Sequence, residues 1–274
     1  MTWKRALEAD ARLAAKNATK FRAALRASIN AESIVEGYMQ TQPQPIGNVA
    51  QQRARARSWA IMNVRVNLSV FQEVLIRTLA EGYVLGDRAA LELVEQAKAR
   101  QKAPKIGINW DTWKPGDDVA ALFVKPPKAW RNLLARFDIT LKDFSKTTHD
   151  LIGNSLGESI ELGLSGKQTA KRLLQYVASP SRALTIAITE QNRAISAATV
   201  ARYKEMGVEK NEWLASDPCE ECAENDGQVV PVGSPFASGD DQPPVHPNCR
   251  CTLLPVVLGG EGDEGDDYIT EITD

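Results

Sequence analysis

Histidine is nearly absent from this chain of 274 residues, which contains only His149 and His246. So little imidazole leaves little general-base capacity, and no Ser/His/Asp set or carboxylate pair at catalytic spacing stands out. The sequence therefore gives catalysis no support. Long apolar runs are missing too: no stretch approaches the ~18–20 consecutive apolar residues that a bilayer-spanning helix needs, which speaks against a membrane function. No apolar leader core follows Met1, because Lys4, Arg5, Glu8 and Asp10 interrupt it. That absence weakens any expectation of disulfides. Net charge is only −2. What the chain does have is 43% hydrophobic residues, enough for a real core in one large or two modest domains.

Its four cysteines are not scattered. All of them, with His246, fall in two short stretches: Asp217-Pro218-Cys219-Glu220-Glu221-Cys222 and Pro243-Pro244-Val245-His246-Pro247-Asn248-Cys249-Arg250-Cys251. A Cys-x-x-Cys pair presents two sulfurs to one tetrahedral ion, and the returning His-x-x-Cys-x-Cys group supplies three further donors. Zn²⁺ in a structural site takes four ligands, so one of the five candidates is spare. If residues 249 to 251 are extended, Cys249 and Cys251 point to the same face and both could reach the ion. The expected set is Cys219, Cys222, His246 and Cys249, with Cys251 in reserve or replacing His246. A disulfide pair and unconnected buried thiols are the plainer alternatives. Pro218-Cys219-x-x-Cys222 also matches half of the zinc-dependent nucleobase-deaminase signature. The other half requires His-x-Glu, and His149 is followed by Asp150 and Leu151, so the general acid/base is missing. Four protein ligands would also leave no open position for water, which favours structural over catalytic zinc.

The ordered series Ser181-Arg182-Ala183-x-x-Ile186-Ala187-x-Thr189-Glu190, Ala194, Tyr203, Gly207-Val208, Trp213, Cys219-x-x-Cys222, Asp226-Gly227 and His246-Pro247-Asn248-Cys249-Arg250-Cys251 resembles the phage Mu F-like minor head proteins, also called phage head morphogenesis proteins. The resemblance covers roughly residues 130 to 257. It departs at Ile188, where members more often carry arginine. What it implies is a structural, non-enzymatic minor capsid component of a tailed bacteriophage. Such a component would associate with the portal vertex and capsid interior during head assembly and DNA packaging. The implied partners are the portal protein and the major capsid or scaffolding protein, and the implied location is the virion, with the host cytoplasm during assembly. Some relatives carry an added toxin domain; only 16 residues follow Leu258, so none is expected here.

The rest of the chain reads as mainly α with a small zinc-clipped β element at the C-terminus, an α+β class. Residues 1–102 form a region of long helices: one over about 2–39, a second over about 50–79 and a third over about 87–102, with Pro43, Pro45 and Gly47 breaking the first from the second. Residues 103–127 hold four prolines and lack a helical period, so they read as a connector. Its Trp110 and Trp113 are candidate partner anchors, against the plainer reading that they pack on their own domain. Residues 128–258 form the Mu F-like region. Within it, helices are expected over about 128–135, 141–164, 168–177 and from Pro180 to Gly207. Ser165 to Gln168 forms a capping box, and Ser179-Pro180 supplies an N-cap with proline at the first helical position. A phosphate loop at Gly166-Lys167 is rejected, because Glu161 stands where its first glycine belongs and Gln168 where its hydroxyl belongs. Val208 to Ala215 and Cys251 to Leu258 are expected to pair as strands. Residues 259–274 carry seven acidic residues and no basic ones and read as a flexible acidic tail.

Charge is divided unevenly: residues 1–110 hold 17 Lys+Arg against 9 Asp+Glu, and residues 111–274 hold 16 against 26. A basic N-terminal half suits an acidic protein surface or packaged DNA. A DNA-binding assembly factor or an ejected internal head protein is accordingly the alternative function, with a zinc hydrolase or deaminase behind it. Solvated helix faces are the plainer reading of the same charges, since Arg53, Arg55 and Arg57 are expected to spread around their helix.

Overall fold

The computed structural model describes residues 2–41, 47–98, 109–216 and 220–257. Ten helices and three strands are found among them, so the mainly α architecture with a small C-terminal β element is what the chain adopts. Cys219, the first part of the 103–127 stretch and the acidic tail lie outside the described residues.

The N-terminal helix is divided. α1 (Thr2–Ala27) and α2 (Ala31–Thr41) are separated by Ser28-Ile29-Asn30. Ser28 Oγ donates back to the Leu25 carbonyl at 2.8 Å, and the Asn30 side chain accepts from the Ser33 backbone N–H at 3.1 Å. These short polar groups offer the backbone an alternative to the helical ladder, and they start α2 with a new N-cap. α3 (Val49–Asn63) opens on a capping box between Asn48 and Gln51 and stops at Val64. Asn67 then accepts from both the backbone and hydroxyl of Ser69 to open α4.

α4 (Ser69–Lys98) runs unbroken through the stretch expected to separate two helices. Gly82 and Gly86, which weaken the helical signal in the sequence, are contact glycines. A Cβ on Gly82 would sit 2.8 Å from the Gln191 carbonyl oxygen, and one on Gly86 would press still closer on Ile195. Only glycine lets α4 lie this near α9 (Pro180–Glu205). The same device joins α3 to α7 (Phe137–Glu161): a Cβ on Gly153 would fall 2.5 Å from Arg57 Cα.

Around these two crossings lie the main cores. Phe21 and Leu25 of α1 join Phe71, Leu75 and Tyr83 of α4, with Phe144 of α7 and Ala187, Ala194 and Ala198 of α9. Phe71 stacks on Phe144 with centroids 3.7 Å apart. A second cluster gathers Ile34, Tyr38 and Trp59 with Ile152, Leu156 and Leu173, the last from α8 (Gly166–Val177). The helices of the first hundred residues therefore bury the apolar faces of α7, α8 and α9.

Ion pairs follow the same seams. Arg53 pairs with Glu161 at 2.9 Å and Arg57 with Asp150 at 2.5 Å, both across the α3–α7 crossing. The two arginines are four residues apart and share a helical face, a correction to the expectation that they spread around the helix. Part of the positive charge of the N-terminal half thus meets the negative charge of the C-terminal half inside one molecule.

Within 103–127 a short helix does form: α5 (Gly116–Val124), followed by α6 (Lys128–Ala135). Pro115 stands at its N-cap, where a missing N–H costs nothing, and the lower proline pair, Pro126 and Pro127, lies beyond its end. The expected capping box of Ser165 and Gln168 is present, as is the Ser179 cap with Pro180 at the first turn.

The sheet has the order β2-β1-β3 and is antiparallel throughout. β1 (Lys210–Leu214) pairs with β3 (Thr252–Val256) in the register Glu212 to Leu254, as the sequence suggests, and with the short β2 (Val229–Pro231), which it does not. The sheet lies against the C-terminal ends of α4 and α9. There Trp213 is buried among Ala90, Val94, Val200 and Tyr203, and the Tyr203 hydroxyl donates to the Leu253 carbonyl at 2.9 Å.

Candidate metal centre

Two limbs meet beside this sheet. The first leaves β1 and enters α10 (Glu220–Asn225), which carries Cys222. Its return is held by side chains of the turn that follows: Asp226 accepts from the Ala215 N–H at 2.8 Å, and Gly227 sits at φ 72, where a side chain would strain the backbone. Asn225 holds the next loop by accepting from Ser238 N–H at 3.0 Å and donating to Ser238 Oγ at 2.9 Å. The second limb runs from His246 through a tight turn, in which the Cys249 N–H reaches the His246 carbonyl at 3.3 Å, and passes Cys251 into β3. Asn248 lies at φ 64, a left-handed conformation that asparagine tolerates better than most residues.

These limbs bring three donors together. Cys222 Sγ lies 3.0 Å from His246 Nε2 and 4.0 Å from Cys249 Sγ, and all three donor atoms lie within 4.8 Å of one another. Two thiolates bound to Zn²⁺ at about 2.3 Å in tetrahedral geometry stand roughly 3.8 Å apart, and a thiolate and an imidazole roughly 3.5 Å apart. The sulfur pair is close to that spacing, and the histidine needs to open by about 0.5 Å. The tautomer suits a metal as well. A carbonyl oxygen can only accept, so His246 Nδ1, 2.9 Å from the Pro247 carbonyl, carries the hydrogen, and Nε2 turns its lone pair toward Cys222.

The thiol chemistry fits an electron-rich cluster. Cys222, Cys249 and Cys251 are buried and unbridged. The Cys251 thiol is pulled down by the hydrogen bond it receives from Cys249, against the opposing effect of burial, while Cys249 is pushed up by the same bond. Buried thiols sharing protons in this way release them when a cation arrives. Cys222, His246 and Cys249 could thus hold a metal ion, with soft sulfur and imidazole donors of the kind zinc takes. Cys251 is hydrogen-bonded with both Cys249 and Cys222 and lies next to Trp213. Cys219, the fourth expected ligand, lies outside the described residues.

The remaining candidates fall elsewhere. Trp110 is 1% exposed: it packs with Leu13, Leu85 and Ala89 and donates its Nε1–H to Glu92 at 2.6 Å. Trp113 is half-buried beside it, ring centroids 5.6 Å apart. His149 is not part of the three-donor group; its Nε2 lies 2.9 Å from the Val64 carbonyl at the end of α3.

Polar residues of α9 reach the second limb. Asn192 donates to the carbonyls of both Cys249 (2.9 Å) and Cys251 (3.2 Å), and Thr189 Oγ1 accepts from the Asn248 N–H at 2.9 Å. Gln191, one residue before Asn192, donates to the Asp10 carbonyl at 2.9 Å and to its carboxylate, tying α9 to α1. The sequence signal was a run of polar residues, Thr189 to Arg193, inside an otherwise apolar helix. Glu190 in that run pairs with Arg193 at 3.3 Å, and burial pushes its carboxyl up despite that partner.

With this geometry in view, comparison with known proteins becomes informative. The family described as Phage Mu protein F like protein matches residues 150–254, which include α8, α9, the sheet and all three converging donors. Residues 150–254 are Mu F-like in sequence. The match bears out the resemblance drawn from the motifs. An uncharacterized protein of Haemophilus influenzae is 32% identical over 117 residues, which make up 41% of this chain and 26% of the relative. The chain therefore spans about a quarter of the length of that relative. No solved structure matches the chain. Ile188, where the Mu F-like pattern more often has arginine, is 6% exposed and lines a small cavity with Leu7, Leu85 and Thr252, an apolar setting that suits isoleucine.

Proposed function

We propose that the protein is a minor head component of a tailed bacteriophage, joining the portal vertex or its scaffold-filled precursor during head assembly and residing in the virion. The observation that carries this reading is the coincidence of the Mu F-like match with the Cys222, His246 and Cys249 cluster, both falling within residues 150–254. The cluster serves as a structural zinc site, with Cys219 as the fourth ligand. Zinc bound there would cross-link the two limbs, and a small β element gains from such a link. The role is structural and non-catalytic, because four protein ligands leave no position for a reacting water. Among the described residues no helix is long and apolar enough to cross a membrane, in keeping with assembly among other head proteins. The pairing of Arg53 and Arg57 with α7 takes charge away from a DNA-facing surface, so portal, major capsid or scaffolding protein is the preferred partner. Co-expression with the portal protein of the same phage, followed by sizing and mass analysis, tests this. A stable complex of defined stoichiometry is expected. Folded, zinc-loaded protein that forms no complex would shift the contact to the capsid shell or to DNA.

A further inference from the structure

We propose that Asn192 and Thr189 of α9 are positioning residues for the metal centre, holding the backbone of the Cys249 limb in its ligating conformation before the ion arrives. This rests on the metal reading above and deepens it.

Between His246 and Cys251 the backbone bond within the turn is the long one from the Cys249 N–H to the His246 carbonyl, 3.3 Å. Ladder pairing begins only at Thr252. Into this gap reaches one side chain that uses both of its amide hydrogens. Asn192 is 8% exposed, and its Nδ2 spans the carbonyls of Cys249 and Cys251, one on each side of Arg250. That spacing fixes the direction of the chain through both cysteines. Thr189, one turn earlier on the same helical face, donates its hydroxyl hydrogen to the Thr185 carbonyl at 2.7 Å, which leaves its lone pairs toward the Asn248 N–H. Asn248 is the left-handed residue that turns the chain between His246 and Cys249. The two α9 side chains therefore hold the turn and the strand entry that aim Cys249 Sγ at Cys222.

The support is rigid. α9 is locked against α4 at the Gly82 and Gly86 crossing and against α1 through Gln191 and Asp10. A ligand aimed by a fixed helix loses less freedom when the ion binds, so affinity rises without any added ligand. Partners outside the ligand shell that orient ligands are typically worth 10–100-fold in metal affinity.

The test is a zinc competition titration against a chromophoric chelator, with Co²⁺ absorption spectra, on the full chain and on Asn192→Ala, Thr189→Val and Thr189→Ser. The wild-type chain is expected to bind one zinc. Asn192→Ala is expected to bind about 10–100-fold more weakly with altered Co²⁺ ligand-field bands and unchanged helical circular dichroism. Thr189→Val should also weaken binding, and Thr189→Ser, which keeps the hydroxyl, should restore it. A fall in Tm with affinity and Co²⁺ bands unchanged would overturn the proposal, because a merely structural side chain would give that result. If Asn192→Ala does not fold, equal affinities for Thr189→Val and Thr189→Ser overturn it on their own. Wild-type protein that takes up no metal removes the metal reading itself, a result distinct from the others.

Discussion

Buried polar residues carry much of the specificity here, and each answers to a partner. Glu190 is instructive because its partner does not fully compensate for burial. Its carboxyl is pushed up by desolvation, with Arg193 opposing. A carboxyl whose folded pKa exceeds its unfolded value binds its proton more tightly when folded. The native state therefore loses stability as pH rises from the unfolded pKa through the folded one. Glu190→Gln removes that cost, and Arg193, with 26% of its side chain exposed, can turn to water. The variant should be neutral to about 1 kcal/mol more stable at pH 7. Its Tm difference from wild type should shrink to nothing as the pH drops below the ordinary carboxylate range. A variant less stable than wild type at neutral pH, with that deficit vanishing in acid, would mean that the ion pair, and not desolvation, dominates.

At the scale of elements, the glycines of α4 and α7 decide how the helices meet. In an exposed helix a Gly→Ala change gains up to about 1 kcal/mol of stability. At Gly86 the added atom would press on the Ile195 backbone, which has no flexible end to move aside. Gly86→Ala should therefore lower stability by about 1–3 kcal/mol, the usual cost of overpacking. Gly166, at the start of α8, offers the contrast: a Cβ there would lie 3.7 Å from Val35 Cγ1, an ordinary contact. Gly166→Ala should be neutral or slightly stabilising. Chemical denaturation of both variants checks the pair, and equal effects would mean that the α4–α9 crossing is not set by glycine.

For the whole molecule, the division of labour between helices and sheet makes metal removal a local event. The helical cores around Phe71 and around Ile152 contain none of the candidate ligands, whereas Cys222, Cys249 and Cys251 belong to the cluster that buries Trp213. Stripping zinc with a chelator, or replacing Cys222 by serine, should expose residues after Gly207 to protease while helical circular dichroism stays largely intact. Hydrogen exchange would show the same boundary. A protease pattern unchanged by chelation would place the stability of the sheet in its apolar contacts alone.

Much of this was legible in sequence because it is local. Capping boxes, the Ser179-Pro180 helix start, the β1–β3 pairing and the clustering of cysteines with His246 depend on neighbours or on alternation, and periodicity reports them directly. Other features were misread for an equally physical reason. Gly82 and Gly86 weaken a helix locally, and only the approach of α9, more than a hundred residues away in the chain, turns them into contact points. Arg53 and Arg57 were expected to spread around their helix, and only the approach of α7 gives them one ion-pairing face. The sequence by itself determined which residue types can take a metal and which segments are helical. Only the tertiary structure decided that Asn192 and Thr189 stand behind those ligands, because a helix face acquires its role from whatever folds against it.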